Sequence, residues 1–209
     1  MLPPVIEELA EKFRLFSGIG KKSSQKLALE VVQFSDSEFQ SFLDTLIRAR
    51  ANTKFCTNCG FFAQDDLCEI CKNISRNQTQ ICLVESPLDI LVIEKSQAYF
   101  GTYHVLQKLI SPLENIFPED TSIHVLFDNR VKTLLDSDST TKIELIIFLK
   151  NSFAAEATIA YLKELIQKLG YQDRITLTRL AQGLPYYYNP ETLDQATITN
   201  AIENRRPLI

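Results

Sequence analysis

Four of the five cysteines in this sequence lie within sixteen residues. Cys56 and Cys59 form one C-x2-C pair, and Cys68 and Cys71 form a second pair after a gap of eight residues. Each pair can supply two thiolates to one ion, and two pairs complete a tetrahedral site. Because four thiolates leave no position for water, the pattern predicts one structural zinc rather than a catalytic one. Two disulfides and an iron–sulfur cluster are the alternatives.

Two acidic residues follow an apolar run in the segment ICLVESPLDIL (81–91). Glu85 ends the run, and Asp89 follows Pro87 in a predicted helix that carries proline in its first turn. An acid at the end of a buried strand can hold Mg²⁺ for phosphoryl chemistry. Two acids at a strand end and a helix start can also share one exposed rim that binds a basic partner. The segment alone leaves both roles open.

A Gly-x-Gly turn lies in the segment FSGIGKKSSQKLA (16–28), between two stretches of helical periodicity. Gly18 and Gly20 permit a tight turn whose backbone N–H groups point outward. Ser23 or Ser24 is the predicted cap of the next helix, whose dipole adds positive potential at the turn. The turn is therefore a candidate phosphate-binding element.

The residues around this turn are locally basic, although the formal net charge of the chain is −4. In an acidic protein, a nucleic-acid surface has to be local. Between residues 12 and 30 one acid, Glu30, accompanies five cations. The pattern favours a helix-hairpin-helix clamp on the phosphate backbone over a solvated helix–helix turn. The predicted DNA-binding residues are Gly18, Gly20, Lys21, Lys22 and Lys26.

Strand and helix patterns alternate in the second half of the chain and predict a mainly parallel α/β sheet. The segment SIHVLF (122–127) fits either a strand or a helix, and LDSDSTTK (135–142) is a predicted surface loop. The predicted strands are QICLV (80–84), YHVL (103–106), IELIIFL (143–149) and ITLTRL (175–180).

Composition predicts an ordinary soluble globular protein, with 45% hydrophobic and 23% charged residues. No apolar run approaches the roughly 18 residues of a membrane span, so we expect no membrane association. The N-terminal MLPPVIEELAEKF lacks the pattern of a signal peptide. Together with the paired cysteines, this predicts a cytoplasmic protein.

Several motifs in order resemble the RecR family of bacterial recombination mediators. They are SGIGKKSSQKLA, the four-cysteine cluster, ICLVESPLDIL, GTYHVLQKLISPLENIFPED, AEATIAYL, RLAQGLP and LDQATITNAIENRRPL, and they cover nearly the whole chain. The resemblance implies an N-terminal helix-hairpin-helix, a zinc finger, a Toprim domain and a C-terminal segment that contacts other subunits. The parts implied here are residues 1–54, 55–76, 79–178 and 179–209.

The resemblance also implies a function without catalysis. RecR proteins form ring-like tetramers from dimers, bind DNA, and act with RecO and RecF to load RecA onto single-stranded DNA coated by single-strand-binding protein. Lys22 and Lys26 match basic DNA-contacting positions of the family, and the four cysteines match its zinc ligands. Glu85 and Asp89 match acidic positions implicated in binding RecO. Glu156 is the third predicted partner-binding residue; it retains one of two further glutamates, and Ala154 replaces the other. Such a protein is also expected at the nucleoid.

The sequence departs from the family pattern at several positions. Ser17 replaces the proline of Pro-Gly-Ile-Gly, and Thr102 replaces the arginine of GRYHVL. The family's GLPVGGD becomes GLPYYYN (183–189), which weakens any argument for a nucleotide site there.

Toprim domains also occur in topoisomerases and primases, so the alternative is a magnesium-dependent nuclease or primase-like enzyme. These enzymes need a strand-end glutamate and an Asp-x-Asp pair after a later strand. After the run 143–149, however, the chain has Lys150 and Asn151. Asp136 and Asp138 have the right spacing but lie in the predicted loop before that strand. The sequence therefore favours a non-catalytic mediator.

Overall fold

The computed structural model describes residues 2–181, 184, 187 and 189–203. The chain forms two compact units, Met1–Thr53 and Lys54–Ile209. Most of the segment GLPYYYN (183–189), including Tyr186 and Tyr188, lies outside the described residues. Within the described residues, no helix is long and apolar enough to cross a membrane.

The first unit consists of three helices, α1 (Pro4–Phe13), α2 (Lys21–Val32) and α3 (Asp36–Ala51). α1 and α2 pack against each other and bury small side chains, among them Ala10 and Ala28. Ser35 is the cap of α3, because its amide donates to the Glu38 carboxylate at 2.9 Å and its hydroxyl accepts from the Glu38 amide at 3.4 Å.

The second unit is built on a four-stranded parallel sheet in the order β4-β3-β5-β6. This confirms the predicted α/β fold. The strands are β3 (Asn77–Val84), β4 (Gly101–Val105), β5 (Ile143–Phe148) and β6 (Ile175–Arg179). A separate two-stranded antiparallel ribbon pairs β1 (Lys54–Phe55) with β2 (Phe62–Ala63).

Helices connect and cover these strands. α4 (Glu69–Lys72) lies in the cysteine cluster, α5 (Pro87–Ser96) follows β3, and α8 (Phe153–Lys168) follows β5. Before β5, α6 (Ile123–Val125) continues through a π-helical turn (Leu126–Val131) into α7 (Lys132–Ser137). After β6, α9 spans Gln195–Glu203.

The two faces of the sheet bury different clusters, because successive side chains of a strand point to opposite faces. On one face, Ile81 and Leu83 of β3 join the main core with Leu162 of α8. On the other face, Cys82 belongs to a smaller cluster with Tyr103 of β4, where it packs as a small apolar residue.

The region before β5 decides one open assignment and corrects one expectation. In the ambiguous segment 122–127, residues 123–127 are helical. The predicted loop 135–142 begins with the last turn of α7, so Asp136 is on a helix. Leu126, Val131 and Leu135 explain the difference, because their helical spacing buries all three in the main core. The Asp138 carboxylate accepts hydrogen bonds from the amide and hydroxyl of its neighbour Thr140.

Candidate functional site

The cysteine cluster is assembled by two short chain reversals. Between β1 and β2, the Cys56 amide donates to the Phe61 carbonyl at 2.7 Å, and the Gly60 amide donates to the Cys56 carbonyl at 2.9 Å. The second pair lies at the start of α4, where Cys68 occupies the cap position. These turns bring the Sγ atoms of all four cysteines within 4.8 Å of one another.

The geometry of the cluster fits a tetrahedral zinc. Zn–S bonds of about 2.3 Å place the sulfurs roughly 3.8 Å apart, and the Cys59 and Cys68 sulfurs are 3.6 Å apart. All five cysteines are free thiols, so the two-disulfide alternative is wrong. The hydrogen bonds between these thiols lower the pKa of Cys68 and raise that of Cys59, so zinc binding must release the protons that remain on the cluster. The Asn58 amide also donates to the Cys71 sulfur at 3.5 Å.

Gly60 allows the cysteine cluster to lie directly against the edge of the sheet. Its φ of +76° is in the left-handed region, and a Cβ there would lie 3.2 Å from the Cβ of Val105. The Val105 amide donates to the Cys59 carbonyl at 2.8 Å. The cluster is thus hydrogen-bonded to edge strand β4 through one of its own ligand residues.

The Gly-x-Gly turn joins α1 to α2, and its helix begins earlier than predicted. Gly18 has a φ of +82°, and Gly20 is the cap residue of α2. Ser23 and Ser24 are therefore inside the helix, which makes the predicted serine cap wrong; the Ser24 hydroxyl donates to the Lys21 carbonyl at 2.9 Å. The first N–H groups of an α-helix have no intrahelical acceptor. Gly20 has no side chain that could accept from those of α2, so they can donate to a ligand.

The lysines of α2 differ in their surroundings. Lys22 is exposed and forms no ion pair with the residues that the structure describes, whereas Lys26 lies 3.5 Å from Glu30. Lys21 lines a cavity of about 320 Å³ together with acids of α1, including Glu7 and Glu8. The basic surface around the Gly-x-Gly turn is therefore smaller than the charges of residues 12–30 predict, because packing of α1 against α2 places those acids beside Lys21.

Polar residues from four elements meet at the carboxyl edge of the parallel sheet. Glu85 follows β3, Lys150 and Asn151 follow β5, and Arg179 ends β6. Asp89 lies in the first turn of α5, beside Glu85. These residues line a groove of about 730 Å³, as expected where parallel strands end together.

Glu85 and Asp89 differ in their contacts. Glu85 forms an ion pair with the exposed Lys150, with 3.2 Å between Nζ and Oε2. The Asp89 carboxylate instead accepts a hydrogen bond of 2.8 Å from the Ser86 amide, while the Ser86 hydroxyl accepts from the Leu88 amide at 3.1 Å. Asp89 is therefore part of the capping box that starts α5.

Glu156, the third predicted partner-binding acid, is ion-paired at the same edge. The Arg179 guanidinium donates to the Glu156 carboxylate at 2.7 Å and to the side-chain oxygen of Asn151 at 2.6 Å. Sequence reasoning did not connect Arg179 with Glu156. The signal was the shared direction of the predicted strands, because parallel strands place their following residues at one edge.

The remaining candidate metal ligands lie elsewhere. Asp136 and Asp138 precede β5 and thus lie towards its amino end, away from Glu85 at the carboxyl edge. His104 is buried in β4, and its Nε2 lies 2.9 Å from the Ser122 hydroxyl. Burial lowers the pKa of His104 to about 4. His124 is exposed on α6.

Comparison with known proteins gives matching family models and a similar full-length protein. A Toprim domain model matches residues 79–181, and a model of the RecR four-cysteine zinc finger domain matches residues 53–73. The chain is also similar to Recombination protein RecR of Streptomyces avermitilis, with 35% identity over 208 residues that cover 100% of this chain and 99% of the relative. The matched finger contains all four cysteines, so the cluster is a structural zinc site.

Proposed function

The chain belongs to the RecR family of recombination proteins, and from this premise we propose that it is a non-catalytic, DNA-binding recombination mediator. In this proposal it acts with RecO, and with RecF, to load RecA onto single-stranded DNA coated by single-strand-binding protein. The working form is a homo-oligomer, a dimer that assembles into a tetrameric ring. It acts in the cytoplasm at the nucleoid.

The observation that carries the choice against an enzyme is the ion pair between Glu85 and Lys150. A magnesium-dependent Toprim enzyme needs further carboxylates beside the strand-end glutamate. Here the Lys150 ammonium group lies 3.2 Å from that glutamate, and the residue after Lys150 is the neutral Asn151. A cation in that position repels Mg²⁺ instead of ligating it.

The proposed DNA-binding element is the turn between α1 and α2. Its residues are Gly18, Gly20, Lys21, Lys22 and Lys26. Exposed ammonium groups and amides without intrahelical acceptors both suit phosphate oxygens and carry no base specificity. We assign the largest contribution to Lys22, since Lys21 adjoins acids of α1 and Lys26 adjoins Glu30.

The proposed docking surface for RecO is the carboxyl edge of the sheet, with Glu85, Asp89 and Glu156 as its acids. A basic group of the partner would compete with Lys150 for Glu85 and with Arg179 for Glu156. Such an exchange of ion pairs gives specificity and a salt-dependent association rate rather than high affinity.

We divide the chain by role into residues 1–54, 55–76, 79–178 and 179–209. In order, they are the DNA-binding helices, the zinc finger, the Toprim domain and the subunit-contact segment. The zinc finger in this scheme stiffens the edge of the Toprim sheet, as the hydrogen bond between Val105 and Cys59 supports.

One experiment separates the mediator from the enzyme. The purified zinc-loaded protein is incubated with supercoiled plasmid or a primed template in Mg²⁺ or Mn²⁺. The mediator proposal expects neither nicking nor primer synthesis. Activity that Glu85→Gln abolishes would overturn it and support the Toprim nuclease or primase-like alternative, for which the position of Glu85 at the end of β3 is the supporting observation.

A second experiment tests the DNA surface. Lys22→Ala/Lys26→Ala should weaken binding to single-stranded DNA and reduce the slope of log K against log salt by about 1.4 if two phosphate contacts are lost. The matched control is Lys163→Ala/Lys168→Ala, which changes net charge equally on exposed positions of α8. Equal losses in both double variants would contradict a localised clamp.

A further inference from the structure

Arg130 is a buried cation that the proposed function does not use. It lies in the π-helical turn before α7, and only 5% of its surface is exposed. Its guanidinium donates to the Tyr103 carbonyl at 2.7 Å and to the Thr102 hydroxyl. Among the described residues it forms no ion pair with a carboxylate, although a buried charge is stable only when an anion compensates it.

The position of this guanidinium is set by the edge of β4. The Tyr103 carbonyl, which accepts from Arg130, and the Val105 amide, which donates to Cys59, are two residues apart in one strand. Groups two residues apart point to the same edge, and two strand residues span only about 7 Å. The Arg130 guanidinium and the main chain of zinc ligand Cys59 therefore lie beside each other on this edge.

The zinc site supplies the missing negative charge. Four thiolates around Zn²⁺ carry a net charge of −2, and three of these cysteines are buried with the site. Asn58 supplies a neutral donor to the Cys71 sulfur, which does not balance that charge. We propose that Arg130 is the buried counter-ion of the zinc tetrathiolate, a positioning residue that raises zinc affinity through its charge.

The electrostatics of the buried group are consistent with this role. Burial lowers the pKa of Arg130, and the thiolates of Cys71 and Cys59 oppose that shift as the leading favourable charges.

The competing interpretation is that Arg130 only donates hydrogen bonds to polar groups of β4 and that its charge has no effect on zinc binding. Two substitutions separate charge from hydrogen bonding, because Arg130→Lys keeps the cation with fewer donors and Arg130→Met keeps length without charge. The matched control is Arg174→Met. The Arg174 guanidinium also donates to backbone carbonyls, those of Leu135 and Asp138 at the end of α7, and neither acceptor belongs to a strand that contacts a zinc ligand.

Zinc affinity is measured on the full chain by competition with a chromophoric chelator at fixed salt. Arg130→Met should lower zinc affinity by about 10- to 100-fold, the usual effect of removing a group around a metal site. Arg130→Lys and Arg174→Met should stay within about threefold of the unsubstituted protein, since each keeps the charge beside the zinc. Equal losses for Arg130→Met and Arg130→Lys, or no loss for Arg130→Met, would overturn the proposal.

A charge-balanced background gives an independent readout. Cys71→His reduces the net charge of the zinc site from −2 to −1, so Arg130→Met should cost less affinity there than in the original site. If Arg130→Met is recovered unfolded, zinc-dependent refolding is followed by circular dichroism. A zinc midpoint raised at least about tenfold supports the counter-ion, and failure to refold at any zinc concentration contradicts it.

Discussion

Glu85 and Asp89 should respond differently to charge reversal, although both are acids of one predicted rim. Asp89→Lys removes the carboxylate that accepts from the Ser86 amide at 2.8 Å and places a cation at the start of α5. Glu85→Lys breaks an ion pair with Lys150, whose side chain is 71% exposed. Only the first change affects the capping of a helix.

The magnitudes follow from these contacts. Loss of a cap costs about 1 kcal/mol, and replacing an anion by a cation at a helix N-terminus costs about 1 kcal/mol more. Asp89→Lys should therefore destabilise the protein by about 2 kcal/mol. In a unit of about 150 residues that lowers the midpoint of thermal unfolding by roughly 4 to 8 °C. Glu85→Lys should cost less than about 1 kcal/mol, as for other exposed pairs.

Differential scanning calorimetry of zinc-saturated protein is the assay, and Asp89→Asn is the control. Asparagine keeps an oxygen that can accept from the Ser86 amide, so it should recover most of the lost stability. An unfolding midpoint for Asp89→Lys within about 1 °C of the unsubstituted protein would refute the capping argument, as would equal effects of both lysine substitutions. Partner binding is consequently best tested with Glu85→Gln and Asp89→Asn, which remove charge and keep the cap.

Three further predictions concern the buried groups and turns. Gly60→Ala should lower the free energy of unfolding of the zinc-bound protein by about 2 kcal/mol, because the left-handed φ is unfavourable and the new Cβ lies 3.2 Å from Val105. Gly18→Ala has the same unfavourable φ but open space, so it should cost about 1 kcal/mol. Thermal unfolding measures both. Burial raises the pKa of Cys82 to about 12. Thiol titration should therefore detect the four zinc-ligand cysteines after zinc chelation and Cys82 only after denaturation. Fast reaction of Cys82 in the folded protein would contradict this. Burial lowers the pKa of His104 to about 4, below its unfolded value of about 6.5. The unfolded chain therefore binds the extra proton, and this group should contribute about 3 kcal/mol to the fall in the free energy of unfolding between pH 7 and pH 4. His104→Gln should remove that contribution in denaturant titrations.

The zinc site could be predicted from the sequence because its ligands are local. All four cysteines lie in one short stretch. The C-x2-C spacing allows each pair to bind one ion through a local turn, which does not depend on contacts with distant parts of the chain. The α/β fold was predicted for a related reason, since apolar runs and helical periodicity are properties of contiguous segments. The predicted start of α2 was wrong by a few residues, because sequence patterns identify a cap by its side chain and the cap residue here is Gly20.

Tertiary structure alone decided which charges meet. Glu85 and Lys150 are 65 residues apart, and Glu156 and Arg179 are 23 residues apart. These pairs form because parallel strands end at one edge of the sheet. The apolar runs and the residues that follow them already predict that acids come after β3 and that a cation comes after β5. Only the packing of the strands turned those residues into ion pairs, because a Coulombic contact depends on a distance of a few ångströms that sequence separation does not encode.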